Sequence, residues 1–264
     1  MNKKGSSSSL FPVLVIITCL IIAIIIFQFI LGNPANFVDE HRETPKVGNI
    51  QGIMFKGGFL VPVILTMLLM VIVFTIERLL TLGKANGSGN IANFVRKVQF
   101  NLANNNIEEA VKECDRQKGS LANVIKSGLK KYTEMANDNE LTKEQKLLAI
   151  QKEIEEATSL ELPMLQKNLP FIATIAPLGT LGGLIGTVLG MIRAFAAMGQ
   201  SGAADSVALS VGISEALVNT ATGIITSALA IIAYNYFSNR IDTLTYMIDE
   251  AGYSITNTFA SRHK

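Results

Sequence analysis

Four apolar runs, set apart by stretches of mixed polar and charged residues, dominate the pattern of this chain. The first, Leu10 to Leu31 (LFPVLVIITCLIIAIIIFQFIL), carries no charge at all. The second runs over 59–82, the third over 170–198 and the fourth over 206–238. The hydrocarbon core of a bilayer takes roughly 20 apolar residues in a helix, so each run predicts a transmembrane helix. The first follows Lys3 and Lys4, is longer than the roughly 7 to 15 apolar residues of a cleavable signal, and ends in no small-x-small site. It reads as a retained anchor. The third and fourth are longer than a span needs, which predicts tilt or projection beyond the bilayer.

The polar stretches switch to a different helical pattern. Between 83 and 169, apolar residues recur three and four apart at Ile91, Phe94 and Val95, and again at Leu121, Val124, Ile125, Leu129 and Tyr132. Gly119 and the Asn137–Asn139 cluster mark breaks. Thr142 with Gln145 three residues on forms a capping box, opening a helix with Leu148, Ile150, Ile154 and Leu160 that heads for Pro163. Its charges predict a solvated face, with a partner-docking surface as the alternative. The tail, 239–264, repeats the pattern at Ile241, Leu244, Ile248 and Ile255. The expected fold is all-α: a polytopic membrane protein with four transmembrane helices, the last two long and extending into a helical cytoplasmic domain. Its divisions are 1–9, 10–31, 32–58, 59–82, 83–169, 170–198, 199–205, 206–238 and 239–264.

Composition supports the membrane assignment, with 49% hydrophobic and 17% charged residues, against about a quarter charged in ordinary soluble domains. The mean hydropathy is +0.36. Lys and Arg in loops resist translocation, and 13 of the 23 lie between Gly83 and Pro170. That segment is expected in the cytoplasm, together with both termini and the basic residues Arg240, Arg262 and Lys264. Residues 32–58, with three basic and three acidic side chains, and the 199–205 turn, with Asp205 and Ser206 capping the next helix, are then outside. A net charge of +2 without basic residues interleaved with aromatics predicts no nucleic-acid partner. Cys19 and Cys114 form no CxxC pattern and predict neither a bridge nor a metal site.

Chemistry is scarce. The two histidines, His41 and His263, lie outside the spans, so no histidine-based triad or metal site is expected within the membrane. No P-loop occurs, and no enzyme activity or cofactor is expected. Gly179, Gly182, Gly183 and Gly186 superficially suggest a dinucleotide loop, but they lie in an apolar helix with no strand before them. Gly182, Gly186 and Gly190 read instead as a small-xxx-small ladder for close helix packing. Arg193 and the pair Glu77–Arg78 sit near span ends and read as anchors or subunit contacts.

Glu215 breaks the rule that charge stays out of the bilayer. It lies about nine residues into the fourth span, roughly 13 Å deep at 1.5 Å per residue. An ionisable side chain at a span centre costs roughly 2.5 to 3.5 kcal/mol and usually faces a cavity or an ion path. At 100° per residue, Asn219, Thr222 and Thr226 fall at about +40°, −20° and +20° from Glu215, one polar stripe suited to pore lining. Thr220, at about 140°, faces elsewhere. Thr180 and Thr187 share a face of the third span. The alternative for Glu215 is a protonated acid that only bonds a neighbouring helix. With no ATP site, an acidic stripe implies use of an existing ion gradient, worth about 2.3 kcal/mol per charge per 100 mV.

The segments Ala176-Pro177-Leu178-Gly179 and Gly186-Thr187-Val188-Leu189-Gly190-Met191-Ile192, with Gly212-Ile213-Ser214-Glu215-Ala216-Leu217-Val218-Asn219-Thr220-Ala221-Thr222-Gly223 and Glu77-Arg78, resemble the MotA/TolQ/ExbB proton-channel family, its ExbB and TolQ branch above all. The resemblance covers about Phe59 to Phe237. It implies an ion pathway through Thr187, Glu215 and Thr220, and a homo-oligomer, typically a pentamer, in a bacterial inner membrane. It further implies a single-span ExbD-like or TolR-like dimer in the pore and a TonB-like transducer, with protons as the transported ion. Two features depart from the ExbB plan: the additional helix 10–31 and the polar outer loop. Four spans resemble the MotA branch, whose members lack an acid at the Glu215 position. A TolQ-like role, a passive scaffold and a permease are the alternatives; the paired repeats expected of a permease are not seen.

Overall fold

A computed structural model describes residues 7–39, 41, 42, 44–201 and 206–262. These residues form helices α1 (Ser7–Ile25), α2 (Ile50–Phe55), α3 (Leu60–Ala85), α4 (Ile91–Ala103), α5 (Ile107–Gln117), α6 (Gly119–Asn137), α7 (Lys143–Gln166), α8 (Leu169–Ser201) and α9 (Ser206–Arg262). No strand occurs among the described residues beyond an isolated bridge between Phe37 and Pro45. Among the described residues, four helices are long and apolar enough to cross a membrane: Leu10–Leu31, Leu60–Ala85, Leu169–Ala196 and Leu209–Arg262. The protein is a multi-pass, all-α membrane protein. Asp205, His263 and most of the 199–205 turn lie outside the described residues.

The chain divides into two compact units, Met1–Ile76 with Asn168–Asn235, and Glu77–Lys167 with Tyr236–Lys264. In the first unit, Pro12, Val15, Cys19, Ala23, Phe27 and Leu31 make one buried strip on an otherwise exposed helix. Three- and four-residue spacing keeps them on one side. After Ile25 the helix widens into a π-helical turn, Ile26–Leu31. Asn36 closes it: its amide nitrogen donates to the carbonyls of Ile30 at 2.8 Å and Leu31 at 3.0 Å. The Asn36 carbonyl oxygen accepts from Asn49, which in turn caps α2 through the Gly52 amide. Phe27 and Phe55 stack at 4.7 Å, with Phe37 edge-on to Phe55. The described residues between α1 and α3 are therefore a folded element, ordered by local caps and an aromatic cluster.

The second unit has a conventional side-chain core. Phe94, Val98, Leu121, Ile125, Leu129 and Tyr132 pack with Ile150, Ile154, Ile248, Ile255 and Phe259. The capping box at Thr142 and Gln145 is present. Two expected apolar positions of that helix face outward: Leu148 is 66% exposed and Leu160 79%. The inward positions Ile150 and Ile154 are four apart, and Leu148 lies about 200° from Ile150 around the helix. As the expected long last span implies, α9 runs unbroken from its apolar segment into the tail. No Gly or Pro occurs between Gly223 and Gly252 to interrupt it. Burial pushes the Cys114 thiol in this core up to about 12, with Asp115 adding to the effect.

Candidate functional site

The site begins with how α8 and α9 approach each other. Gly179, Gly183, Gly186 and Gly190 repeat at a 4-3-4 spacing, which holds them within about 60° on one side of α8. A side-chain carbon on any of them meets α9. It would lie 3.1 Å from the Gly223 carbonyl oxygen at Gly179, 3.0 Å from that of Asn219 at Gly183, and 2.8 Å from that of Gly212 at Gly190. At Gly186 it would overlap the Asn219 side chain. Gly182, expected in this seam, is off it: its nearest neighbour is Ile64 on α3, at 3.8 Å. The tight contact thus follows a heptad-like spacing rather than a strict four-residue ladder.

Backbones this close bring polar side chains together across the pair. Thr187 and Thr220, the hydroxyls that the family resemblance places on the ion pathway, are hydrogen-bonded to each other. One hydroxyl donates to the other, and the Gly183 carbonyl lies within acceptor reach of both, 3.1 Å from Thr187 and 3.3 Å from Thr220. The off-stripe angle of Thr220 is what points it at α8. Ser227 adds a tie to the Ala176 carbonyl at 2.6 Å, a contact that the sequence reading missed.

Glu215 lies on α9 one turn before Asn219. Its side chain is 9% exposed and is ion-paired with Arg193 of α8, whose side chain is 49% exposed. The guanidinium rests 5.4 Å from the centroid of the Phe59 ring. The other wall is the turn that leads into α3. Gly58 takes φ +72°, and a side-chain carbon there would come within 2.5 Å of the Glu215 carboxylate. Glycine therefore serves twice, for the left-handed backbone and for the close approach. Asn219 is fully enclosed and donates to the Gly57 carbonyl at 2.8 Å. Its Oδ1 has no hydrogen-bond partner among the described residues.

The remaining sequence-predicted residues separate into two groups. Thr222 and Thr226 share the Glu215 side of α9, but both hydroxyls donate to carbonyls of their own helix, at 2.8 Å to Val218 and Thr222 respectively. Thr226 is enclosed within the chain, and Thr180 and Thr222 are partly exposed. At the other group, Arg78 is not a surface anchor. It is fully buried, pairs with Glu77 through both Nε and Nη2, and donates to the Leu165 carbonyl at 3.1 Å. That carbonyl lies in the last turn of α7, where backbone acceptors lack helical partners. Arg193, likewise read as an anchor, is the partner of Glu215. The clue was its depth: both residues lie a similar number of residues from the segment that joins α8 to α9.

A profile of the MotA/TolQ/ExbB proton channel family matches residues 116–250. Among individual proteins, the Tol-Pal system protein TolQ of Pseudomonas aeruginosa is 30% identical over 121 residues, 46% of this chain and 52% of that protein. The chain thus spans about half the length of that relative. The biopolymer transport protein ExbB of Helicobacter pylori is 40% identical over 81 residues, 31% of this chain and 56% of the relative. ExbB of Neisseria meningitidis serogroup B is 27% identical over 212 residues, 77% of this chain and 94% of the relative. The family profile covers both glycine-lined helices and the paired hydroxyls, with Glu215 and Arg193 between them: this chain belongs to the MotA/TolQ/ExbB proton channel family.

Proposed function

We propose that this protein is an ExbB-like subunit of an inner-membrane motor, using proton flow to energise a TonB-like transducer through an ExbD-like single-span partner. The observation that carries the reading is Glu215, an acid almost enclosed in a membrane helix and joined to a cation at its outer end. Intramembrane acids of this kind usually mark ion paths. Protons, no resident cofactor and no catalysed reaction belong to this reading. The Thr187–Thr220 pair lies one to two turns further along the same two helices, a succession of polar stations suited to proton relay. Both termini are cytoplasmic, and copies of the chain close a ring, a pentamer in this reading, around the partner dimer.

A TolQ-like role in envelope integrity is the second reading, favoured by the similarity to TolQ. Purifying the tagged full-length chain from its own cells tests both. Mass spectrometry of the complex should find a short single-span protein with an intramembrane Asp. Reconstituted vesicles containing the complex should pass protons under an imposed potential, and Glu215→Gln should reduce flux to that of protein-free vesicles without changing the subunit ratio. Undiminished flux in Glu215→Gln overturns the channel reading. Detergent sensitivity of deletion cells, with outer-membrane uptake intact, replaces the ExbB-like role by the TolQ-like one.

A further inference from the structure

Two neutral walls and one cation surround the Glu215 carboxylate. From the loop before α3 come Gly57 and Gly58, which bring backbone only. From its own helix comes Asn219, neutral and turned to Gly57. From α8 comes Arg193, the charged group that touches the carboxylate among the described residues. The two partners are unequally placed: the acid is nearly enclosed, while half of the Arg193 side chain remains open. Phe59 supports the guanidinium from below at 5.4 Å, an attraction between cation and ring face that does not consume hydrogen-bond donors.

We infer that Arg193 is the resident counter-ion of Glu215, a positioning residue that holds the carboxylate against the Gly57–Gly58 turn and releases it when the acid takes up a proton. This rests on the proton-pathway reading of Glu215. The proton balance is simple. One proton adds to a carboxylate oxygen, the acid becomes neutral, Arg193 keeps its charge, and the ion pair is replaced by a weaker hydrogen bond. Half-exposed, the guanidinium can then turn away from the acid. When the proton leaves, the pair re-forms. Removing Arg193 while Glu215 stays would leave an enclosed carboxylate without its cation. The aromatic support sets how firmly the cation is kept in place.

The test uses the full-length chain in lipid vesicles and dicyclohexylcarbodiimide, a lipid-soluble reagent that modifies neutral carboxylic acids. Modification of Glu215 is timed by mass spectrometry. Arg193→Gln should speed it by at least about tenfold, whereas Arg193→Lys, which restores the charge, should stay near the parent. Gel filtration checks that the variants assemble. If Arg193→Gln does not assemble, Phe59→Leu keeps both charges and withdraws the ring, with an expected acceleration of about two- to fivefold. Parent-like rates in an assembled Arg193→Gln, or in Phe59→Leu where that variant stands in, overturn the counter-ion role. They leave the proton-pathway reading intact, because that reading stands or falls on the flux of Glu215→Gln.

Discussion

The α8–α9 contact and the core formed by α4 to α7 with the end of α9 hold helices together by opposite means. In the core, branched and aromatic side chains such as Ile125, Leu129, Tyr132 and Phe259 fill the space, and burial of apolar surface from water supplies the drive. At the α8–α9 contact, glycines take the place of large apolar side chains. Glycines bring carbonyls within reach, and polar groups such as Thr187, Thr220 and Ser227 bond across the seam. Between helices within a bilayer there is little water to escape from, so close packing and hydrogen bonds must supply the affinity. The lesson is that the acid and hydroxyls of the candidate pathway lie where backbone contact leaves room for polar side chains.

The sharpest way to break this comparison is Gly190→Leu. With the Gly212 carbonyl 2.8 Å from the first added carbon, no rotamer avoids α9. The expected loss exceeds about 3 kcal/mol, read as failure to obtain a monodisperse protein in detergent. Leu129→Ala attacks the other kind of contact and should cost about 2 to 5 kcal/mol. Cys114 reports on it. The buried thiol, pushed up to about 12, holds almost no reactive thiolate at pH 8.5 in the folded parent. Iodoacetamide should therefore label Cys114 slowly in the parent and markedly faster in Leu129→Ala. Because the raised value favours the neutral form, its contribution to stability is present below about pH 8.5 and declines as pH rises towards about 12.

Smaller effects sharpen the picture. Thr142→Ala removes one half of the capping box and should cost about 1 kcal/mol, seen as a small drop in melting temperature with proton flux unchanged. Gly182→Ala should be close to neutral, because the new methyl group meets nothing nearer than Ile64 at 3.8 Å. A Gly182→Ala variant as damaged as one at Gly190 would show that the seam runs along the four-residue ladder after all.

Local features of the chain were legible without any structure. Run length gave the four spans, the Thr142–Gln145 spacing gave a helix start, and no Gly or Pro stands between Gly223 and Gly252 to interrupt α9. Each depends on residues within a few turns of one another, where the 3.6-residue period leaves little freedom. The same period placed Glu215 and Asn219 on one side of α9 and set Thr220 apart.

What faces that side was decided only in three dimensions. Helical arithmetic fixes angles about one axis and says nothing of how a second helix is rotated against the first. Hence the seam runs through Gly179 and Gly183 rather than Gly182, Arg193 meets Glu215 across 22 residues of chain, and Asn219 reaches Gly57 across 162. Arg78, read from its position as an anchor or subunit contact, holds carbonyls 86 and 87 residues away. Composition and periodicity set which side chains are available to a membrane helix; the rotation and register of its neighbours set which of them meet.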